Sequence, residues 1–310
     1  MTREADFIVA LRAVATDPAA RGLLDDAAVL PFAGQIVLTH DMLVEGVHYL
    51  PDDAPADVAW KLLAVNLSDL AAKGAEPLGV LLGYAMTDDA GWDSAFAVGL
   101  GDAAAAFGVP LLGGDTVRLP PDAPRVLGLT ALGRASGCGA PSRGGARPGD
   151  VLYVSGTIGD AGAGLAIRQG RAEGSAELVH RYHRPEPKLA LGRSIAPHVH
   201  AMADVSDGLL IDAARMGQAS GCAMVIDLDA VPLSDALLRM GGESLATRLT
   251  AATAGDDYEL LFTAPPGVVT DPDVAMIGRV MAGEGLSLYH HGAPVPLPAS
   301  LGYEHDGEQG

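Results

Sequence analysis

Three short segments place aspartates where a run of apolar, strand-forming residues gives way to polar ones. They are Leu38-Thr39-His40-Asp41, Leu111-Leu112-Gly113-Gly114-Asp115-Thr116 and Ala203-Asp204-Val205-Ser206-Asp207-Gly208. Polar groups at strand ends lie at the edge of a sheet, which is where ligands bind in α/β folds. Carboxylate oxygens are the ligands that Mg²⁺ prefers. Any one of these aspartates alone is better explained as a turn or cap residue, but three such strand ends together predict a magnesium site.

A helix predicted over residues 57–73 adds a further candidate. Asp57 can cap its beginning and Gly74 can end it. Asn66, Asp69 and Lys73 are spaced three and four residues apart, so they share one face of an otherwise apolar helix. Because a buried carboxylate without a partner is costly, this polar stripe either joins a metal site or forms an internal hydrogen-bond network.

The motifs of several common enzyme classes are missing. The chain has no G-x-x-x-x-G-K-[ST] phosphate loop, no protein-kinase H-R-D or D-F-G set, no G-x-S-x-G elbow and no H-E-x-x-H zinc motif. The glycines between Gly156 and Gly164 follow a predicted strand but do not fit G-x-G-x-x-G. The residues alone therefore predict a metal-using α/β enzyme rich in aspartate, without specifying its reaction.

Length, charge and cysteine content limit the number of domains, the kinds of binding partner and the cellular compartment that the chain can have. The 310 residues suggest about two domains of ~150 residues each. The formal net charge of −19 disfavours binding to nucleic acid or to anionic lipid. The first residues lack a signal-peptide pattern, no apolar run is long enough for a membrane span, and the two cysteines show no C-x-x-C spacing. We therefore expect a cytoplasmic protein without disulfides.

The coarse secondary structure predicts a mixed α/β (α+β) protein of two domains. The turn-rich stretch from Cys138 to Asp150 is the expected boundary, and it gives an N-terminal domain over residues 1–137 and a C-terminal domain over 148–305. The predicted strands span 35–39, 109–112, 126–133, 151–155, 201–205, 223–228, 258–263, 275–280 and 286–289. The predicted helices span 6–14, 57–73, 92–107, 164–168, 177–182, 188–195 and 209–219.

Seven segments, in this order, resemble the thiamine-monophosphate kinase family of the aminoimidazole-ribonucleotide-synthetase-like superfamily. A single piece such as Gly-Gly-Asp-Thr is weak evidence, but the ordered set over nearly the whole chain is specific. The segments are Asp25-Asp26-Ala27-Ala28, Asp41-Met42-Leu43-Val44-Glu45-Gly46-Val47-His48, Ala64-Val65-Asn66-Leu67-Ser68-Asp69-Leu70-Ala71-Ala72, Gly113-Gly114-Asp115-Thr116, Gly133-Arg134, Asp204-Val205-Ser206-Asp207-Gly208-Leu209 and Gly255-Asp256-Asp257-Tyr258-Glu259-Leu260.

The resemblance implies a two-domain fold with mixed sheets and flanking helices, and a homodimer formed through N-terminal strands. The implied enzyme transfers the γ-phosphoryl group of ATP to thiamine phosphate with several Mg²⁺ ions and no protein nucleophile. By resemblance, the metal ligands are Asp26, Thr39, Asp41, Asp69, Asp115, Asp204 and Asp207. The nucleotide contacts are Gly114, Asp115, Arg134 and Ser206, and the thiamine-phosphate contacts are His48, Asp256 and Tyr303.

The chain departs from the family pattern at three positions, none of which removes a metal carboxylate. Leu24 replaces a usual Gly, His40 replaces a usual Thr or Ser, and Asp256 replaces a common Glu. The alternatives are another ATP-using member of the superfamily, such as an aminoimidazole-ribonucleotide-synthetase-like enzyme, and a non-catalytic nucleotide- or thiamine-binding module. The number of carboxylates argues against the non-catalytic module.

Overall fold

The chain divides into two compact units in a computed structural model that describes residues 3–23, 28, 30 and 32–304. The first unit comprises Met1–Leu70 and Ala75–Ala135. The second comprises Ser136–Gly310 together with the short stretch Ala71–Gly74. Each unit has its own sheet, and each is described below by itself.

The first unit contains a four-stranded sheet with strand order β1-β4-β2-β3. Strands β1, β4 and β2 are antiparallel neighbours, whereas β3 runs parallel to β2. Its elements are α1 (Arg3–Val14), a 3-10 helix (Pro18–Leu23), β1 (Ile36–Val44), α2 (Pro55–Ala71), β2 (Glu76–Met86), α3 (Ala90–Phe107), β3 (Leu111–Arg118) and β4 (Val126–Arg134).

The helices of this unit cover one face of the sheet. Strand β4 contributes the fully buried Leu127, Leu129 and Ala131 to this core. The ring of Tyr84 on β2 packs 5.0 Å from the ring of Phe96 on α3, and its hydroxyl donates to Asp93 at 2.8 Å. The core side of the sheet is therefore closed by apolar packing, and the strand alternation sends the other residues of each strand to the opposite face.

Two of the three predicted strand ends are wrong. Strand β1 pairs with β4 over nine residues, from Ile36 opposite Arg134 to Val44 opposite Val126, so Asp41 lies inside it. Asp115 likewise lies inside β3, which pairs with β2 as far as Arg118. Both strands continue through their polar residues because the backbone hydrogen bonds to the neighbouring strand continue there. The prediction relied on apolar runs and therefore ended both strands too early.

Strand β2 was not among the predicted strands, because Pro77, Gly79 and Gly83 are typical of loops. The structure accommodates Pro77 beside a β-bulge between Pro77 and Gly79. A Cβ at Gly79 would collide with the side chain of Leu112, so close packing against β3 explains this glycine.

The helix predicted over residues 57–73 is confirmed, but its ends are shifted. It begins at Pro55, and proline is favoured at the first position of a helix. It ends at Ala71, so Lys73 lies beyond its last residue.

The second unit contains a seven-stranded mixed sheet with strand order β11-β10-β7-β9-β5-β8-β6. Neighbouring strands are antiparallel except β7 and β10, which are parallel. Its elements are β5 (Val151–Ser155), α4 (Asp160–Arg168), α5 (Ala176–His183), α6 (Leu189–Ile195), β6 (Ala201–Asp204), α7 (Leu209–Ser220), β7 (Cys222–Asp227), a 3-10 helix (Leu228–Ala230), α8 (Asp235–Gly241), α9 (Leu245–Thr253), β8 (Leu260–Ala264), β9 (Val274–Ala282), β10 (Leu286–His290) and β11 (Ala293–Val295).

Helices cover both faces of this sheet. One apolar cluster packs α7, through residues such as Leu210 and Met216, against Val154 and Leu261 of the sheet. A second cluster on the opposite face groups the stacked rings of Tyr153 and Phe262, 5.3 Å apart, with residues of α6 and with Ala71 and Ala72. The prediction of mixed sheets with flanking helices is confirmed. Within the described part of the chain, no helix has both the length and the apolarity that a membrane crossing needs.

Candidate functional site

Strand β1 and helix α2 hold the candidate metal ligands of the first unit against each other. The hydroxyl of Thr39 donates a short hydrogen bond to Oδ2 of Asp69. Two residues along β1, the backbone N–H of Asp41 donates to Oδ1 of Asn66 at 3.0 Å. The structure therefore brings Thr39 and Asp41 on β1 beside Asn66 and Asp69, two members of the predicted polar stripe on α2.

Asn66 is the buried link in this arrangement. Its side chain is fully buried, and its amide nitrogen donates to the carbonyl oxygen of Leu62 at 2.9 Å. Among the described residues β1 lies at the edge of the sheet, so its outward N–H groups find no strand partner there, and Asn66 supplies an acceptor to one of them. The internal hydrogen-bond network and the carboxylate cluster are thus the same set of residues.

The donor set of this cluster fits Mg²⁺. Thr39, Asp41 and Asp69 present only oxygen atoms, and Asp41 and Asp69 are partly exposed rather than sealed in the core. Mg²⁺ takes oxygen ligands and keeps several waters, so it needs carboxylates that remain accessible to solvent and phosphate. A cluster of imidazoles or thiolates would have favoured a softer metal ion.

Asp115 is not brought to Asp41 within the chain. The ladder register aligns Asp41 with Leu129, Leu82 and then Gly114, and the strand order places β1 and β3 at opposite edges of the sheet. Asp115 lies one residue further, so strand alternation directs it to the face opposite Asp41. Three strand spacings of about 4.8 Å separate the two edges.

Gly114 and Arg134 occupy special backbone positions. A Cβ at Gly114 would collide with the carbonyl oxygen of Leu82, so only glycine fits between β2 and β3 there. Arg134 is the last residue of β4, and it pairs with Ile36 of β1 on one side and with Glu76 of β2 on the other. Its exposed side chain leaves the guanidinium accessible to an anion.

The backbone at the end of β1 fixes the imidazole of His48. Its Nδ1 accepts a hydrogen bond from the N–H of Val44 at 3.0 Å, and Lys61 donates to its carbonyl oxygen at 3.1 Å. With Nδ1 as the acceptor, the neutral ring carries its proton on Nε2. His48 therefore presents a donor from a fixed ring. His40, by contrast, bonds Thr130 at 2.9 Å on the exposed face of the sheet.

In the second unit, a tight loop carries Asp204, Ser206 and Asp207 from β6 into α7. Asp204 ends β6 as the sequence predicted, and it is buried. Oδ2 of Asp212 accepts hydrogen bonds from the N–H groups of Ser206 and Asp207 at 3.2 and 3.1 Å. Burial raises the pKa of Asp212. Arg215 donates to Asp212 at 3.3 Å and, in a short contact, to Asp207.

Two further segments are tied to this loop by backbone hydrogen bonds. Asp256 donates its N–H to the carbonyl of Ser206 at 2.8 Å, and Tyr303 donates its own to the carbonyl of Asp207 at 2.9 Å. Asp256 and Tyr258 both adopt positive φ, 69° and 52°. Such strained positions cost free energy and cluster at functional sites. The structure thus brings Asp204, Ser206, Asp207, Asp256 and Tyr303 together.

Buried charges anchor the segment that carries Asp256. Glu259 is buried, accepts the hydroxyl of Ser155 at 2.5 Å and pairs with Lys188 at 3.1 Å. Burial raises the pKa of Glu259. Asp257 accepts the N–H of Gly159 at 2.7 Å at the beginning of α4. These contacts fix Asp257 within the strained loop and Glu259 directly after it, so they help to set the position of Asp256.

Three residues that support the site, Asp212, Arg215 and Lys188, were not predicted from the sequence. Asp212 and Arg215 are three residues apart, directly after the Asp-rich loop, and this helical spacing was an available signal. Lys188 meets Glu259 only through tertiary folding, and their separation of 71 positions leaves no local signal. Asp26, which resemblance assigned as a metal ligand, lies outside the described residues, as does Leu24.

Comparisons with known proteins define the class first. The model of the AIR synthase related protein N-terminal domain matches residues 24–135, and that of the C-terminal domain matches residues 147–291. The chain therefore belongs to the AIR synthase related proteins, and the predicted two-domain fold is confirmed.

Closer relatives define the particular family. Thiamine-monophosphate kinase from Caulobacter vibrioides is 42% identical over 306 residues, covering 93% of this chain and 86% of the relative. The crystal structure of thiamine-monophosphate kinase from Stenotrophomonas maltophilia K279a has 36% identity and a TM-score of 0.80, covering 95% of this chain and 97% of that one. AaThiL complexed with AMPPCP and TMP has 30% identity and a TM-score of 0.78, covering 90% and 91%. The chain belongs to the thiamine-monophosphate kinase family.

Replacing Lys188 by Met should destabilise the fold because it leaves Glu259 buried without its cation. We expect a loss of about 3–5 kcal/mol in the free energy of unfolding at pH 8. The folded-state pKa of Glu259 is already raised and should rise further without Lys188, so the loss should shrink as the pH falls and the carboxyl group protonates. Urea unfolding at pH 8 and pH 5.5 measures both effects.

The double variant Lys188→Met/Glu259→Gln is the control, because the neutral amide removes the buried charge. It should recover part of the lost stability at pH 8 and show a weaker pH dependence. An equal loss for Lys188→Met at both pH values would mean that the ion pair does not govern Glu259.

Proposed function

We propose that this protein transfers the γ-phosphoryl group of ATP to the phosphate of thiamine phosphate and so forms thiamine diphosphate. The observation that carries this proposal is the Thr39–Asp69 contact beside Asp41, in a chain 42% identical to a thiamine-monophosphate kinase. The solved relative complexed with AMPPCP and TMP supports the same pair of substrates.

We propose that carboxylates of both units hold Mg²⁺. In the first unit the ligands are Asp26, Thr39, Asp41 and Asp69, with Asp115 as a further ligand on the opposite face of the sheet, and in the second unit they are Asp204 and Asp207. When bound, Mg²⁺ neutralises phosphate oxygens and so lets a protein of net charge −19 bind anionic substrates. The other residues of the chain then act by positioning, because phosphoryl transfer needs little covalent chemistry from the protein.

The nucleotide and thiamine-phosphate contacts follow from the same proposal. Gly114, Asp115, Arg134 and Ser206 contact ATP, with Arg134 supplying a cation and Gly114 allowing close approach of the backbone. His48, Asp256 and Tyr303 contact thiamine phosphate, with His48 donating from Nε2. A phosphate oxygen of thiamine phosphate attacks the γ-phosphorus directly, and ADP leaves.

We also propose a homodimer formed through the exposed face of the four-stranded sheet. This face carries Leu38 and Met42 on β1, Leu81 on β2 and Val117 on β3, which are 61%, 49%, 37% and 54% exposed. A contiguous apolar sheet face is typical of a protein interface. Asp115 lies on the same face, so a dimer that covers it takes Asp115 into the interface.

We also propose that the protein acts in the cytoplasm, where ATP is available for its reaction. The domain bounds of residues 1–137 and 148–305 stay a prediction.

The purified protein, incubated with ATP, Mg²⁺ and thiamine phosphate, should form thiamine diphosphate and ADP in equal amounts. Chromatography of both products measures this, and reactions without Mg²⁺ or with AMPPCP in place of ATP are the controls. ATP-independent retention of thiamine phosphate without product would instead identify a binding module and contradict the proposal.

Asp41→Asn and Asp69→Asn should each lower kcat by about 100-fold or more, because electrostatic stabilisation of the transferred phosphoryl group is lost. Asn at position 69 still accepts from Thr39, and Asp41 bonds Asn66 through its backbone, so both variants should keep the fold. Steady-state kinetics and thermal melting separate the two effects.

Asp102→Asn is the matched control, since Asp102 is an exposed carboxylate on α3 that we place outside the site. It should leave kcat unchanged. Near-normal turnover in Asp41→Asn and Asp69→Asn would remove both residues from the metal site.

Leu38→Glu should shift the protein from dimer to monomer, because it places a charge within the proposed apolar interface, at its most exposed apolar side chain. Light scattering coupled to gel filtration measures the mass. Val98→Glu is the control, since Val98 is 65% exposed on α3 and lies away from the sheet face. A monomeric wild type, or a dimer that survives Leu38→Glu unchanged, would contradict this interface.

A further inference from the structure

Three metal-binding side chains meet at the end of two neighbouring strands in the second unit, outside the proposed kinase site. Asp229 lies in the short 3-10 helix after β7, His290 is the last residue of β10, and His291 follows it. Strands β7 and β10 are parallel and pair as far as Tyr289 opposite Asp227, so their ends lie side by side. One ligand atom from each of the three residues lies within 4.8 Å of the others.

The spacing of these atoms suits a tetrahedral metal ion. Nδ1 of His290 lies 2.7 Å from Oδ1 of Asp229, and Nδ1 of His291 lies 3.2 Å from the same oxygen. Ligand atoms about 2.0–2.1 Å from a tetrahedral Zn²⁺ are separated by roughly 3.3 Å. Small rotations of the side chains would open the shorter distance to that value.

The contact between His290 and Asp229 is close but poorly aligned. Nδ1 of His290 is buried and lies 2.7 Å from Oδ1 of Asp229, outside good hydrogen-bonding geometry. A metal ion bound to both atoms would satisfy this buried nitrogen.

His291 occupies a turn position that local preferences assign to other residues. It forms, with Gly292, the two-residue connection between β10 and β11, and both have positive φ, 50° and 74°. Asn, Asp and Gly are preferred at the first position of such a turn. The carboxylate of Asp229 accepts the N–H of His291 in a short contact, and Nδ1 of His291 lies 3.2 Å from the same carboxylate. The turn therefore holds the imidazole beside Asp229.

The two imidazole rings stack, with their centroids 4.0 Å apart. A metal ion beside both rings would be bound through their Nδ1 lone pairs, with the carboxylate of Asp229 as its counter-charge.

We propose that Asp229, His290 and His291 form a binding site for a divalent transition-metal ion, with Zn²⁺ as its natural occupant and water in the fourth position. Imidazole nitrogens select Zn²⁺ and its neighbours over Mg²⁺, which prefers oxygen. The site is therefore chemically distinct from the carboxylate clusters. The ion joins the β10–β11 turn to the segment after β7, so it stabilises this edge of the seven-stranded sheet.

Titration with Co²⁺, which reports its coordination through its visible absorption, tests the site in the full-length protein with Mg²⁺ in large excess. The wild type should bind one Co²⁺ with the intense bands of a four-coordinate ion, and Zn²⁺ should displace it. His291→Asn suits the left-handed turn and removes the imidazole, and Asp229→Asn keeps an acceptor for the N–H of His291. Each substitution should weaken Co²⁺ binding by about 100-fold or more, because loss of a residue that only supports a metal ligand already costs about 10- to 100-fold in affinity.

His198→Asn is the matched control, because His198 is exposed and lies outside the cluster, and it should bind as the wild type does. Zn²⁺ should also raise the melting temperature of the wild type and of His198→Asn, but not of His291→Asn. Kinase activity with Mg²⁺ should be the same in all of these proteins, which separates this site from the proposed function. Equal affinity in His291→Asn and the wild type, or a weak six-coordinate spectrum that Mg²⁺ abolishes, would overturn the proposal.

Discussion

Carboxylates held close together repel one another, and the structure depends on the hydrogen-bond partners that hold their segments in place. In the first unit, the hydroxyl of Thr39 donates to Asp69, and the side-chain oxygen of Asn66 accepts from the backbone N–H of Asp41. These partners are neutral, so they position the segments without cancelling the charge of the carboxylates. A cluster arranged in this way keeps its attraction for a cation.

The second unit uses cations as well as neutral donors. Arg215 bridges Asp207 and Asp212, and Lys188 pairs with the buried Glu259. Asp212 and Glu259 hold backbone and side-chain donors of the loops, whereas Asp204 and Asp207 are the proposed ligands. Asp207 pairs with Arg215 here, so metal binding at Asp207 would require Arg215 to move or to share that carboxylate. Supporting residues of this kind orient the ligands that they surround.

The two kinds of proposed metal site differ in their chemistry. The kinase site offers oxygen atoms on several elements, which suits an ion that keeps its waters and bridges phosphates. The cluster of Asp229, His290 and His291 offers two imidazoles from one turn, which suits an ion that binds few ligands tightly. One chain can therefore discriminate between two divalent ions by ligand type, without competition between the sites.

The sequence by itself determined the family, the two-domain α/β class and most helices, because ordered motifs and apolar periodicity are local signals. It also placed Asn66 and Asp69 on one face of α2, since helical spacing is fixed. Only the tertiary structure decided that Asp41 and Asp115 lie inside strands and on opposite faces of the sheet, because ladder pairing and strand order join residues far apart in the chain. The tertiary structure also decided the contacts of Lys188 with Glu259 and of Asp229 with His290, because these residues are far apart in the chain and meet only in the folded second unit.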